Sequence, residues 1–161
     1  MTLDKDLFIK ALENIGFDYN NASVKVTDKS IEFFEELELP NELINFLKEF
    51  SFRHELDFDG NYFNFTNKIR TENLDEINKE IYKQHLLIIG SGMNGDLVVL
   101  NTKTMTVGYV FHDQLWENET IENLNEIYID LKISIGEFFY KSTTEEDFPI
   151  DAYEAEEYIA E

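Results

Sequence analysis

Gly90-x-Gly92-x-x-Gly95 follows the apolar run Leu86 to Ile89 with the spacing that lets backbone amides cradle a dinucleotide pyrophosphate. That chemistry needs a helix opening inside the motif, so that its N-terminus faces the phosphates. Asp96-Leu-Val-Val-Leu comes next and has the character of a strand, so the glycines predict a hairpin loop. His54, His85 and His112 show no metal-ligand spacing among themselves or with carboxylates on one helix face. Asp57-Phe58-Asp59-Gly60-Asn61 has the flavour of a calcium loop, but its glycine is fourth and Lys68 stands twelfth, where an EF-hand needs glycine sixth and glutamate twelfth. No serine lies in Gly-x-Ser-x-Gly, and there is no cysteine. No catalytic, cofactor-binding or metal-binding residue is predicted, and no enzyme.

Charge is the stronger signal. The chain carries 34 acidic and 13 basic residues, for a formal charge of −21. Such a chain is repelled by nucleic-acid phosphates and by anionic membranes, which excludes both as partners. Residues 145–161 hold Glu145, Glu146, Asp147, Asp151, Glu154, Glu156, Glu157 and Glu161 with no Lys or Arg. Acidity can also serve solubility alone.

The elements that position these groups read as one domain, since 161 residues with 43% hydrophobic content form one core and not two. Leu86 to Ile89, Asp96 to Leu100 and Thr106 to Phe111 are three strand-like runs. Their short links permit antiparallel neighbours only. A first helix follows from the apolar spacing of Leu3, Leu7, Phe8, Ala11, Leu12 and Ile15, ended by Gly16. Thr27 and Asp28 can cap a helix carrying Ile31, Phe34 and Leu37, and Pro40 opens another that buries Leu43, Ile44, Leu47 and Phe50. Phe52 to Phe58 and Tyr62 to Phe65 flank Asp59-Gly60 as a hairpin, and Leu74, Ile77 and Ile81 suggest a helix beginning near Thr71. A long helix is expected from Ile121 to Tyr140, with Leu124, Ile127, Leu131, Ile135 and Phe138 on one face and Glu122, Glu126 and Asp130 opposite. Like charges at that spacing cost about 0.2–0.5 kcal/mol per pair, which hints at a partner, although a solvated face is the reading favoured for the stripe. The acidic segment 145–161 reads as a frayed tail beyond a domain spanning 1–144, with a short docked helix at 151–160 as the other possibility. No run approaches the roughly 20 apolar residues of a membrane span, and the start carries no basic leader, so the expected location is cytoplasmic.

The succession Ile89-Gly90, Gly95-Asp96, Asn101-Thr102, Val107-Gly108-x-Val110 and Phe111-His112-Asp113 resembles the SUKH superfamily. Leu39-Pro40-Asn41-Glu42-Leu43-Ile44-Asn45-Phe46-Leu47 and Ile133-Ser134-Ile135-Gly136-Glu137-Phe138-Phe139 are similar to its Leu-Pro helix start and its closing helix. Its members are largely bacterial immunity proteins and include fungal cell-wall-assembly regulators. The resemblance implies an α+β fold and capture of a cognate protein toxin; a regulatory or scaffold role is the alternative. Because nuclease toxins present basic surfaces, the acidic chain suits the former. The partner-binding residues expected are Asp96, Asp113, Glu117, Glu119, Glu122, Glu126 and Asp130, with Trp116, Ile129 and Ile133 as apolar anchors. Oligomeric state is left open.

Overall fold

The computed structural model describes residues 3–113 and 126–160. Its fold is α+β, a single domain built on one antiparallel sheet. The strands are β1 (Leu56–Phe58), β2 (Asn61–Phe63), β3 (Leu86–Ser91), β4 (Leu97–Asn101), β5 (Thr106–Val110) and β6 (Tyr128–Ile133). Each strand pairs with the next in chain order. The chain opens with α1 (Lys5–Asn14), α2 (Tyr19–Ala22), α3 (Asp28–Glu36) and α4 (Asn41–Glu49). Between β2 and β3 lie α5 (Thr66–Leu74), a 3₁₀ turn (Glu76–Asn78) and α6 (Lys79–Lys83), and α7 (Ile135–Thr144) and α8 (Ala152–Ala160) close the chain.

Strands β3 and β4 read as continuous apolar runs because both of their faces are covered. Leu87, Ile89, Val98, Leu100, Val107 and Tyr109 point into the main core, shared with α1, α4 and α7. Leu86, Ile88, Leu97, Val99 and Val110 form a second cluster with Ile81 of α6 and Ile127. The main core centres on Phe8 of α1, fully buried, whose ring lies 4.8–5.7 Å from those of Phe46, Phe50, Phe58, Phe63 and Phe139. Several of these pairs meet edge to face, the arrangement that ring quadrupoles favour.

Helix starts follow the expected chemistry. The Thr27 side chain accepts the Ser30 N–H at 3.3 Å to cap α3, and Ser134 accepts the Glu137 N–H at 3.1 Å to cap α7. The helix expected from Thr71 to Ile81 is instead three pieces. Asp75 is extended and its carboxylate accepts the Ile77 N–H at 3.2 Å, which stops α5 and starts the 3₁₀ turn. Two residues earlier Asn73, still within α5, serves the sheet with its side chain. Its amide donates to the Ile88 carbonyl at 2.9 Å and its oxygen accepts the Ile88 N–H at 2.9 Å. Asn73 thereby completes the hydrogen bonding of β3 where the short β2 ends.

The long helix expected over 121–140 is corrected. Residues 128–133 form β6, and a helix starts only at Ile135. Tyr128, Asp130 and Lys132 alternate with Ile129, Leu131 and Ile133, a period of two that a helical wheel hides because residues four apart share a face under either periodicity. Pairing to β5 settles the matter, with Tyr128 opposite Val110 and Ile133 opposite Val107. A bulge lies between, where Lys132 takes φ 60° and its N–H is held by the Asp130 carboxylate at 2.8 Å. Segment 152–160 is a helix with Ala152 and Ala155 fully buried, so the docked alternative for the acidic segment describes it.

Phe8→Ala should cost about 3–5 kcal/mol, read as a lowered urea midpoint, because five rings lose a common neighbour. A second expectation concerns Glu72, half-buried and hydrogen-bonded by the Asn64 amide at 2.7 Å. Burial lifts its carboxyl above the usual range against the opposing pull of Lys68 and the Asn64 amide. The folded state therefore holds this proton more tightly than the unfolded chain. Its contribution to stability is complete below the unfolded carboxylate pKa and is lost as pH rises through the folded one. Urea midpoints of Glu72→Gln should fall less than those of the native chain as pH is raised through that window.

Candidate functional site

Antiparallel pairing places Leu97 opposite Val110, so the residues just before β4 and just after β5 must meet at one end of the sheet. There Asp96 is fully buried. Its Oδ1 accepts the His112 N–H at 3.0 Å and lies against His112 Nδ1, and its Oδ2 accepts the Ala152 N–H at 2.9 Å. One carboxylate thus joins the glycine loop, the exit of β5 and the first turn of α8. Asp113 sits beside this staple and accepts the Tyr153 hydroxyl at 2.7 Å, while the Tyr153 ring packs edge-on to Phe111 at 4.8 Å.

The glycine loop has its own reason for glycine. Met93 N–H donates to the Ile150 carbonyl at 2.8 Å, and a Cβ on Gly92 would run into that same oxygen. On the other side a Cβ on Gly60 would fall 2.6 Å from Ile150 Cγ2. Ile150 is therefore a peg between two glycines. No helix follows the loop, since β4 resumes at Leu97, and the dinucleotide reading fails on that ground. Beneath the peg lies a buried polar network. The Asn61 amide donates to the Pro149 carbonyl and to Ser142 Oγ, both at 2.9 Å, and the Tyr109 hydroxyl lies 3.0 Å from the same carbonyl and against Asn61 Oδ1. Burial pushes the Tyr109 phenol well above its ordinary pKa, so it stays a neutral donor.

Asp96, His112 and Asp113 each bring a potential ligand atom within 4.8 Å of the others. These are ligand types that divalent cations accept. Both Asp96 oxygens are, however, already turned to N–H groups of the chain, which makes the cluster a structural staple. The histidine was not grouped with carboxylates by spacing along the chain. The strand register would have found it.

Of the residues expected to bind a partner, Asp96, Asp113 and Glu126 gather at this end of the sheet, Glu126 through the Phe111 N–H bond to the Ile127 carbonyl at 2.9 Å. Asp96 is corrected: a fully buried carboxylate accepting backbone N–H groups cannot meet a partner. Ile129 and Ile133 are half-buried against the main core, where β6 covers it, and are not open anchors. Asp130 is held in the β6 bulge and shares no helical stripe with Glu126. Trp116, Glu117, Glu119 and Glu122 lie outside the described residues.

Sequence reasoning passed over Met93 and Tyr153, 61% and 51% exposed. A methionine between glycines in a hairpin loop was the available signal. Glu154, exposed on the first turn of α8, has its carboxyl raised by partial desolvation and by the nearby Asp151 and Glu157 charges.

Comparison with family models, with curated proteins and with solved structures finds no match to this chain. The site is therefore judged on its own geometry. No described helix is long and apolar enough to cross a membrane.

Asp96→Ala should leave the His112 and Ala152 N–H groups without their acceptor, at about 1–3 kcal/mol for each buried donor. Amide hydrogen exchange should quicken at Ala152 and His112 before it does at the β4 and β5 amides. Uniform quickening throughout the sheet would show that Asp96 supports the fold at large and not these three segments.

Proposed function

We propose that this chain is an immunity protein that binds and neutralises a cognate toxin domain, a basic nuclease, by protein contact and without catalysis of its own. One observation carries the reading: the lysines that follow Lys83 all lie away from the staple end of the sheet. After Lys83 the only basic residues are Lys103, Lys132 and Lys141. Lys103 lies in the β4–β5 turn and Lys132 near the end of β6, both at the end of the sheet opposite the staple. Lys141 on α7 lies 3.4 Å from Glu137 and 3.7 Å from Glu145. The segments that form the staple end, residues 91–96, 111–113 and 149–154, contain no Lys or Arg.

An acidic face without compensating cations raises the rate at which a cationic partner is captured, and it turns away nucleic acid and anionic membrane. The toxin-binding expectation comes from the SUKH resemblance, with which the antiparallel α+β fold is compatible. A cytoplasmic location belongs to the same proposal, since the toxin would have to be met before it reached its nucleic-acid substrate.

The deciding experiment pairs this chain with the toxin domain encoded by the adjoining reading frame. Co-expression should protect cells that the domain alone kills, and the two should co-purify as a complex whose association slows as salt rises. Survival without a complex, or a complex that leaves nuclease activity intact, would remove the immunity reading.

A further inference from the structure

We propose that the staple end of the sheet, centred on Met93 and Tyr153, is the docking surface, and that its occupant is a cationic protein surface able to seat these two side chains. The proposal rests on the immunity reading and adds the place of contact. Three features converge here. Met93 and Tyr153 are two of the five large hydrophobic side chains exposed among the described residues, and both belong to this end of the sheet. A flexible thioether, near the Tyr62 hydroxyl at 4.0 Å, and a tyrosine held on Phe111 supply an adaptable contact and an aromatic anchor at the same end of the sheet.

Their rim is acidic. Asp113 accepts the Tyr153 hydroxyl, Asp151 and Glu154 flank Tyr153 along the chain, and Glu126 stands at the same end of the sheet, on segments without Lys or Arg. A second copy of this chain would bring the same negative rim and be repelled, and nucleic acid or an anionic vesicle would be repelled likewise. A surface rich in Lys and Arg is the occupant whose charge complements it.

The anchors are also preorganised. Met93 is held through its N–H on Ile150, and the helix that carries Tyr153 is held through the Ala152 N–H on Asp96. Little loop ordering is then left to be done on binding.

The test uses the inactivated toxin domain from the adjoining reading frame and measures association and dissociation at low and high salt. Met93→Ala should speed dissociation about tenfold with association nearly unchanged, and Met93→Leu should restore the native rate. Glu154→Lys should slow association several-fold at low salt, the gap closing at high salt. Ile77→Ala, an exposed apolar change on the 3₁₀ turn, should alter neither. Matched far-UV circular dichroism confirms folding. Native binding with unchanged rates in Met93→Ala and Glu154→Lys would overturn this surface and leave the immunity reading standing. Absence of binding by the native chain would take down both. A native dimer in sedimentation that Met93→Ala dissolves would overturn the proposal in favour of a second copy as occupant.

Discussion

A carboxylate buried away from water is costly unless its oxygens meet donors, and Asp96 meets them at two distant points of the chain, His112 and Ala152. That constraint organises one end of the molecule. The glycine loop cannot drift, because its last residue holds the exit of β5. The acidic C-terminal helix cannot peel away without stripping an acceptor from the Ala152 N–H. The Asn61 network repeats the same solution one layer down, where Pro149 presents its carbonyl to two buried donors. A segment whose composition suggests a solvated tail is ordered because buried donors need its carbonyl groups and a buried carboxylate needs its N–H.

The rest of the core could accept such a commitment because it is held by non-directional contacts. Phe8 gathers five rings from α4, β1, β2 and α7 or the residues beside them, and the sheet is apolar on both faces. Hydrophobic burial supplies stability without fixing which loop lies where. Buried polar groups, each demanding a partner of set direction, do the fixing. Asn73 shows the division most plainly, since from within α5 its side chain completes β3 at Ile88.

These two kinds of force explain what was legible in the sequence. The meander β3 to β5, the opening helices and the hairpin at Asp59-Gly60 follow from local pattern and turn chemistry, which a single sequence displays directly. Strand β6 was misread as helix because its identity depends on the edge of β5, a partner eighteen or more residues away. The helix from Thr71 broke at Asp75 for a capping reason visible in the sequence but outweighed there by apolar spacing. The site was half legible. Asp113 and Glu126 lie at the staple end of the sheet, Glu126 off the helical stripe expected of it, whereas Asp96 was assigned to the surface because burial of a carboxylate is a tertiary fact. Met93 and Tyr153 escaped notice for the converse reason: exposure of an apolar side chain leaves no periodic trace.

The charge distribution ties the fold to its proposed use. Partial desolvation, and after it the Asp151 and Glu157 charges, raise the Glu154 carboxyl, and no lysine on α8 offsets those charges. Solubility needs net charge but has no need of a sheet whose lysines all lie away from the staple. The staple and the polar network beneath it hold α8 against that repulsion with bonds buried from salt and solvent. Rigid anchoring on the inside and uncompensated charge on the outside are thus two parts of one arrangement. Under the proposed function that acidic surface is complemented by a basic partner, whose cations would offset its negative charge.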